Sequence, residues 1–483
     1  MGYKFLQQFY EDEILAEVVH HSVGREGHRQ ALHLAMLGLA DEAHAIFTLM
    51  HAHDLPSPML WTWAIVTALF YHASGLEPPY SRDTTPDVAA SQLDAMKHAV
   101  GYFSEGFDLE QVTEESYEKL QGVSIALKNE EYSDEETGYA AVRRSAALTT
   151  LLYMADKLGK EKDVWELLGA MTTRLHANQQ AEYLSYTLVA WEKWHLPGKL
   201  REALGVELSE LRSYADFVHA TLKKRLENGP VRPDDVYAGF SVRSLLEELD
   251  RNTTKDQEFD YHDFYCEGDD VPTTIFKEPA SEGSIEAKEK DLGRKLPEEL
   301  KELLRASNGC EMVKTAPGER ATRFVALEDI YIEDDDFVDG YGFTMLPDFE
   351  VEPNRPCGVD EEDWEFSFRV RPCKNGGGIA AYKQDGQGTR YIWILPNATV
   401  DDAREKVKEV WGKVSDEQKA RIDEEIVRRY GSRETYEGME YAVNVQQWGC
   451  PEGVEVYPNY GSFIRAVTYR SRVKVEKSPV KRG

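Results

Sequence analysis

The sequence predicts a multidomain chain: an all-α N-terminal domain of helical hairpins, then a C-terminal α+β domain built on a mixed or antiparallel sheet. Three observations lead there. The chain has 483 residues, more than one ordinary domain holds. Apolar residues recur at helical spacing through about residue 230, and after residue 310 the period changes to two. Between these regimes lies a polar, acidic stretch poor in aliphatic residues. The expected boundaries are 1–230 for the helical-repeat-like domain, 231–283 for an acidic linker, 284–430 for the α+β domain and 431–483 for a C-terminal extension whose end is disordered.

Taken in order, Gln30 to Met50 reads as helix, a Gly38-Leu39-Ala40 turn, and helix. Gly38, Ala43 and Phe47 fall at the spacing of a tetratricopeptide hairpin, with Pro56 near the closing position and Trp61 where a next repeat would begin. The second unit soon loses the pattern. Leu151 to Met171 is another helix–Gly159–helix unit, and Ala181 to Trp194 and Leu204 to Leu226 are further helices. The region resembles a stack of degenerate hairpins, each with an apolar face it cannot bury alone. A non-repetitive bundle is the alternative. Leu76 to Pro86 and the acidic Asn129 to Thr137 read as connectors, and Asn228 to Asp235 breaks the helical run. The following linker is expected to be partly ordered by Phe259, Tyr261, Phe264 and Tyr265.

Ser284 to Met312 is the most informative stretch. Ser284 is a candidate N-cap, and Ala287 rules out a capping box. Ile285, Lys288 and Leu292 share a helical face, and Gly293 supplies the positive φ of a helix end. Pro297 suits the first turn of a second helix, with Glu298 and Glu299 at the positive end of its dipole. Leu300, Leu303 and Leu304 form the apolar stripe, and Asn308-Gly309 is the stop.

Ile285, Glu286, Glu289, Leu292, Gly293, Leu296, Pro297, Leu300, Leu303, Leu304, Asn308 and Gly309 together resemble the opening of the SUKH superfamily. That family includes the Smi/Knr-type fungal cell-wall assembly regulators and many bacterial toxin-immunity proteins. The order of elements that follows is similar too. Arg323 to Ile332 alternates as a strand or a strand with a turn, and Trp364 to Val370 as a strand. Gly376-Gly377-Gly378 leads into Ile379 to Lys383, which forms a hairpin with Arg390 to Leu395. The resemblance covers roughly residues 280 to 430. Members often carry Gly-Asp where this chain has Gly377-Gly378, and residues 337–362 form an insert. Ala403 to Tyr430 is helical with a break near Gly412 to Ser415. Beyond it, Ser462 to Val475 alternates like a basic strand.

Composition narrows the function. A formal net charge of −31 disfavours nucleic acid and anionic membrane as main partners. No apolar run reaches the length of a membrane span, and the first residues lack a secretory apolar region. Cys266, Cys310, Cys357, Cys373 and Cys450 form no C-x-x-C pair, so reduced thiols in the cytoplasm or nucleus are expected. His20, His21, His28, His33, His44, His51, His53 and His72 crowd the N-terminal region without the helical spacing of a metal site. The acidic run Glu333 to Asp336 lacks the pattern of a calcium loop, and the three glycines lead into a strand rather than a helix N-terminus.

No catalytic motif stands out, so the expectation is not an enzyme, with no cofactor and no metal. The resemblance implies a protein-binding regulator or scaffold. The alternatives are an immunity-type protein that neutralises a toxin, and an enzyme with a site between the domains. Partners are expected to present basic surfaces, with no nucleic acid and no membrane insertion. Candidate contacts on the sheet and its rim are Trp364, Phe366, Arg390 and Trp393, since Trp and Arg are favoured at hot spots. The structural motif residues are Ile285, Glu286, Leu292, Gly293, Leu296, Pro297, Leu300, Leu304, Asn308 and Gly309.

Overall fold

The structure, a computed structural model, describes residues 9–17, 20–53, 55, 61–79, 87–101, 107–129, 137–178, 181–256, 259–265, 268–314, 322–332, 343, 345–346, 379–380, 390–447 and 455–472. Pro56, residues 130–136, Glu333 to Asp336, the 337–342 part of the insert, Trp364 to Val370 and Gly376 to Gly378 lie outside them, as do Cys266, Cys357, Cys373, Cys450 and the last residues. The chain divides into two compact units, one mainly Val19–Asn228 and the other mainly Gly229–Val475.

The described residues of the first unit form helices joined by turns and connectors. Its helices are α1 (Glu11–Ala16), α2 (His20–Met36), α3 (Ala40–Ala52), α4 (Trp61–Ser74), α5 (Val88–Gly101), α6 (Glu114–Asn129), α7 (Thr137–Lys157) and α8 (Glu161–Asn178). The turn between α2 and α3 needs Gly38 twice over: φ is +88°, and a Cβ there would sit 3.0 Å from Gly198 Cα. Ala43 and Phe47 are buried where α3 faces its neighbours.

The expected helix Ala181 to Trp194 is broken into α9 (Ala181–Leu184), α10 (Leu188–Ala190) and a π turn, Trp191–His195, followed by α11 (Lys199–Ala203). The break has local causes. Thr187 is extended, Gln92 Oε1 accepts from the Leu188 amide at 2.6 Å, and Trp191 Nε1 donates to the Ser185 carbonyl. The long α12 (Leu208–Asn228) then returns to pack on α2 and α3, where Tyr214 donates to Gln30 at 3.0 Å. A linear repeat array touches only sequential neighbours. This return closes the helices into a bundle, the alternative to an open stack.

The second unit starts earlier than expected. Short α13 (Pro233–Val236) and α14 (Val242–Thr254) precede α15 (Glu282–Leu292) and α16 (Glu298–Ala306). Val242, Leu245, Leu246 and Leu249 of α14 share one core with Ile285, Leu300, Leu303 and Leu304. The stretch 231–283 is therefore built into the domain rather than tethering it. Asp250 fixes it further, accepting from the Ile275 amide at 2.8 Å and Thr274 Oγ1 at 3.0 Å.

Strands β1 (Met312–Val313) and β2 (Thr322–Arg323) form an antiparallel pair. The main sheet has the order β3 (Tyr331–Ile332), β4 (Ile379–Ala380), β5 (Arg390–Leu395), β6 (Ala442–Gln447) and β7 (Glu455–Tyr457), antiparallel at every step. Between β5 and β6 run α17 (Asn397–Trp411), α18 (Asp416–Tyr430) and α19 (Arg433–Glu437); α20 (Tyr460–Ser471) follows β7.

Register divides the sheet's side chains cleanly. Ile392 lies opposite Val445 and Ile394 opposite Val443, and all four join the core of α14, α15, α16 and α20. Trp393 and Leu395 alternate with them and join Val400, Val407, Ile422 and Ile426 of α17 and α18. Helices thus cover both faces of the sheet. Four consecutive β5 residues, Ile392 to Leu395, are buried as a result.

Two local expectations change. Ser281 rather than Ser284 caps α15, accepting from the Ser284 amide at 3.1 Å, because the helix begins three residues earlier. The described part of the expected strand Ser462 to Val475, up to Arg472, is helix and turn rather than strand. Asn459 caps α20, whose Tyr460, Phe463, Ile464, Val467 and Tyr469 are all buried. A helix buried nearly all round shows no polar stripe, so its apolar pattern misleads.

Candidate partner-binding site

The motif between Ser281 and Gly309 builds the scaffold. Ile285, Leu292, Leu296, Leu300 and Leu304 are all buried, and Glu286 is exposed. Gly293 ends α15 at φ +63°, and Pro297 is the extended residue just before α16. Burying each of Leu300, Leu303 and Leu304 is worth about 1.5–3 kcal/mol.

Asn308 ties the next segment down. Its Oδ1 accepts from the Leu327 amide at 2.7 Å, and its Nδ2 donates to Glu328. This anchoring splits the expected strand Arg323 to Ile332, with a 3-10 turn at Leu327–Asp329 between β2 and β3.

The charges here are largely used internally. Glu289 is buried and accepts from the Leu296 amide at 2.9 Å and Lys295 at 2.7 Å. Burial pushes its pKa up, but the Lys295 and Leu296 hydrogen bonds and the nearby Lys301 outweigh that and hold it below the usual value. Arg305 bridges Glu282 and Glu298, each at 2.5 Å, and with Lys301 holds Glu298 down at about 2.

The expected contact residues fare differently. Trp364 and Phe366 lie outside the described residues. Arg390 opens β5 opposite Gln447, with its side chain outside the described set. Trp393 is 7% exposed and packs under α17 and α18, so it is a core residue rather than a presented contact. The physical reason is the covering of both sheet faces. Among the described residues, Tyr331 on β3, the end strand of the described sheet, is 44% exposed.

Other chemistry-bearing groups are occupied structurally. Among the described residues no group of His, Cys, Asp and Glu could hold a metal ion. His28 meets Thr67 Oγ1 at 2.8 Å, and His195 lies between the carbonyls of Met36 and Leu184. Burial pushes the Cys310 thiol up to about 12, far from reactive thiolate chemistry. No described helix is long and apolar enough to cross a membrane.

One exposed feature was missed at the sequence level. On α8, Val164, Leu168 and Met171 form the buried stripe, and Trp165 falls one position off it, 40% exposed. A tryptophan out of phase with its helix's apolar stripe was the available signal.

Compared with known proteins, residues 279–416 match the SMI1 / KNR4 family (SUKH-1). No curated protein and no solved structure matches the chain. The matched segment runs from just before α15 to the first residue of α18; α14, β6, β7 and α20 lie outside it.

Proposed function

We propose that this chain, with its SUKH-1 segment at residues 279–416, is a non-catalytic protein-binding regulator or scaffold of the fungal cell-wall assembly type. The family match carries the reading. The helical unit supports it, since it adds a second folded surface that a compact immunity protein would not need. The internal pairing of Glu282, Glu289, Glu298 and Arg305 supports a structural rather than chemical role for the motif's charges.

The partners present basic surfaces, in keeping with a net charge of −31. No cofactor enters this function, and the cytoplasm or nucleus is its place. Neutralisation of a toxin is the second reading, favoured by the same family match.

Affinity capture with the purified full chain, eluted in salt steps and identified by cross-linking, tests the proposal. A regulator should retain defined partners released as salt rises. Turnover of generic ester, phosphate or glycoside substrates by the purified chain, with no partner retained, would overturn it.

A further inference from the structure

We draw no further inference here: the strongest candidate, the apolar surface patch of the second unit where Arg232 joins α18 and the side chains of Val236 on α13 and Val427 on α18 are exposed, carries no proposal because nothing in the structure shows what covers it.

Discussion

Gly309→Ala isolates what the Asn-Gly stop contributes. Gly309 has φ +75°, and a Cβ there would lie 2.7 Å from the Ala326 amide nitrogen, 2.7 Å from the Phe324 carbonyl oxygen and 2.8 Å from Val325 C. All three are backbone atoms and cannot rotate away. Gly293 is the natural control, with φ +63° and no atom within 4 Å of its virtual Cβ. Both substitutions carry the left-handed cost of about 1–2 kcal/mol. Only Gly309→Ala adds overpacking, about 1–3 kcal/mol more.

The expected destabilisation is thus about 1–2 kcal/mol for Gly293→Ala and about 2–5 kcal/mol for Gly309→Ala. Changes in unfolded-chain entropy are the same for both and cancel in the comparison. Because the chain has two units, the readout should be local. Segment-resolved hydrogen exchange over residues 300–313 is suitable, since the Cys310 amide donates to the Phe324 carbonyl at 2.9 Å beside the clash. If Gly309→Ala loses no more protection than Gly293→Ala, the steric reasoning is wrong.

Leu304→Ala removes a fully buried side chain and should cost about 2–5 kcal/mol in urea titration; a change under about 0.5 kcal/mol would place the residue at the surface. Asp250→Ala should cost about 1–3 kcal/mol by leaving the buried Ile275 amide without its acceptor, and an unchanged midpoint would restore 231–283 to the status of a tether. Burial pushes His28 down to about 3 and His195 down to about 4 from an ordinary 6.5, so the folded first unit binds fewer protons than the unfolded chain between those values. Its stability should therefore be full above pH 6.5 and fall below it, by about 2 kcal/mol per histidine at pH 5. Urea midpoints at both pH values check this, with His28→Gln expected to flatten the slope.

Local rules made much of the fold legible. The stripe of Leu300, Leu303 and Leu304, the Gly38 and Gly159 turns and the hairpin arm Arg390 to Leu395 each depend on neighbours a few positions away, and each stands where expected. The rest depended on distant residues. Arg232 donates to the Val427 carbonyl at 2.5 Å and the Arg428 carbonyl at 3.0 Å, at the C-terminal end of α18 and nearly 200 residues away in sequence, and nothing local announces it.

Trp393 was named as a contact because Trp is favoured at hot spots, a preference that does not say whether either face of its strand is open. The unbroken apolar run Ile392 to Leu395 carried the answer, since a one-sided strand would show a polar residue at every second position. The exposed Trp165 was the least legible. Trp165 looks like its helix's other apolar residues until phase is considered.

The core of the second unit is stitched from segments that its family match does not span. α14 comes before residue 279, and β6, β7 and α20 come after residue 416. A fragment excised at those two positions would keep Leu300, Leu303 and Leu304 but lose Leu245, Leu249, Phe463 and Val467, which share their core. It would also strip β5 of its β6 partner, leaving a hydrogen-bonding edge next to newly wetted leucines. Such a piece should cling to its own copies and precipitate. Anyone cutting this chain for expression should therefore cut by the core, from about Gly229 onward through the end of α20, rather than by the family signature.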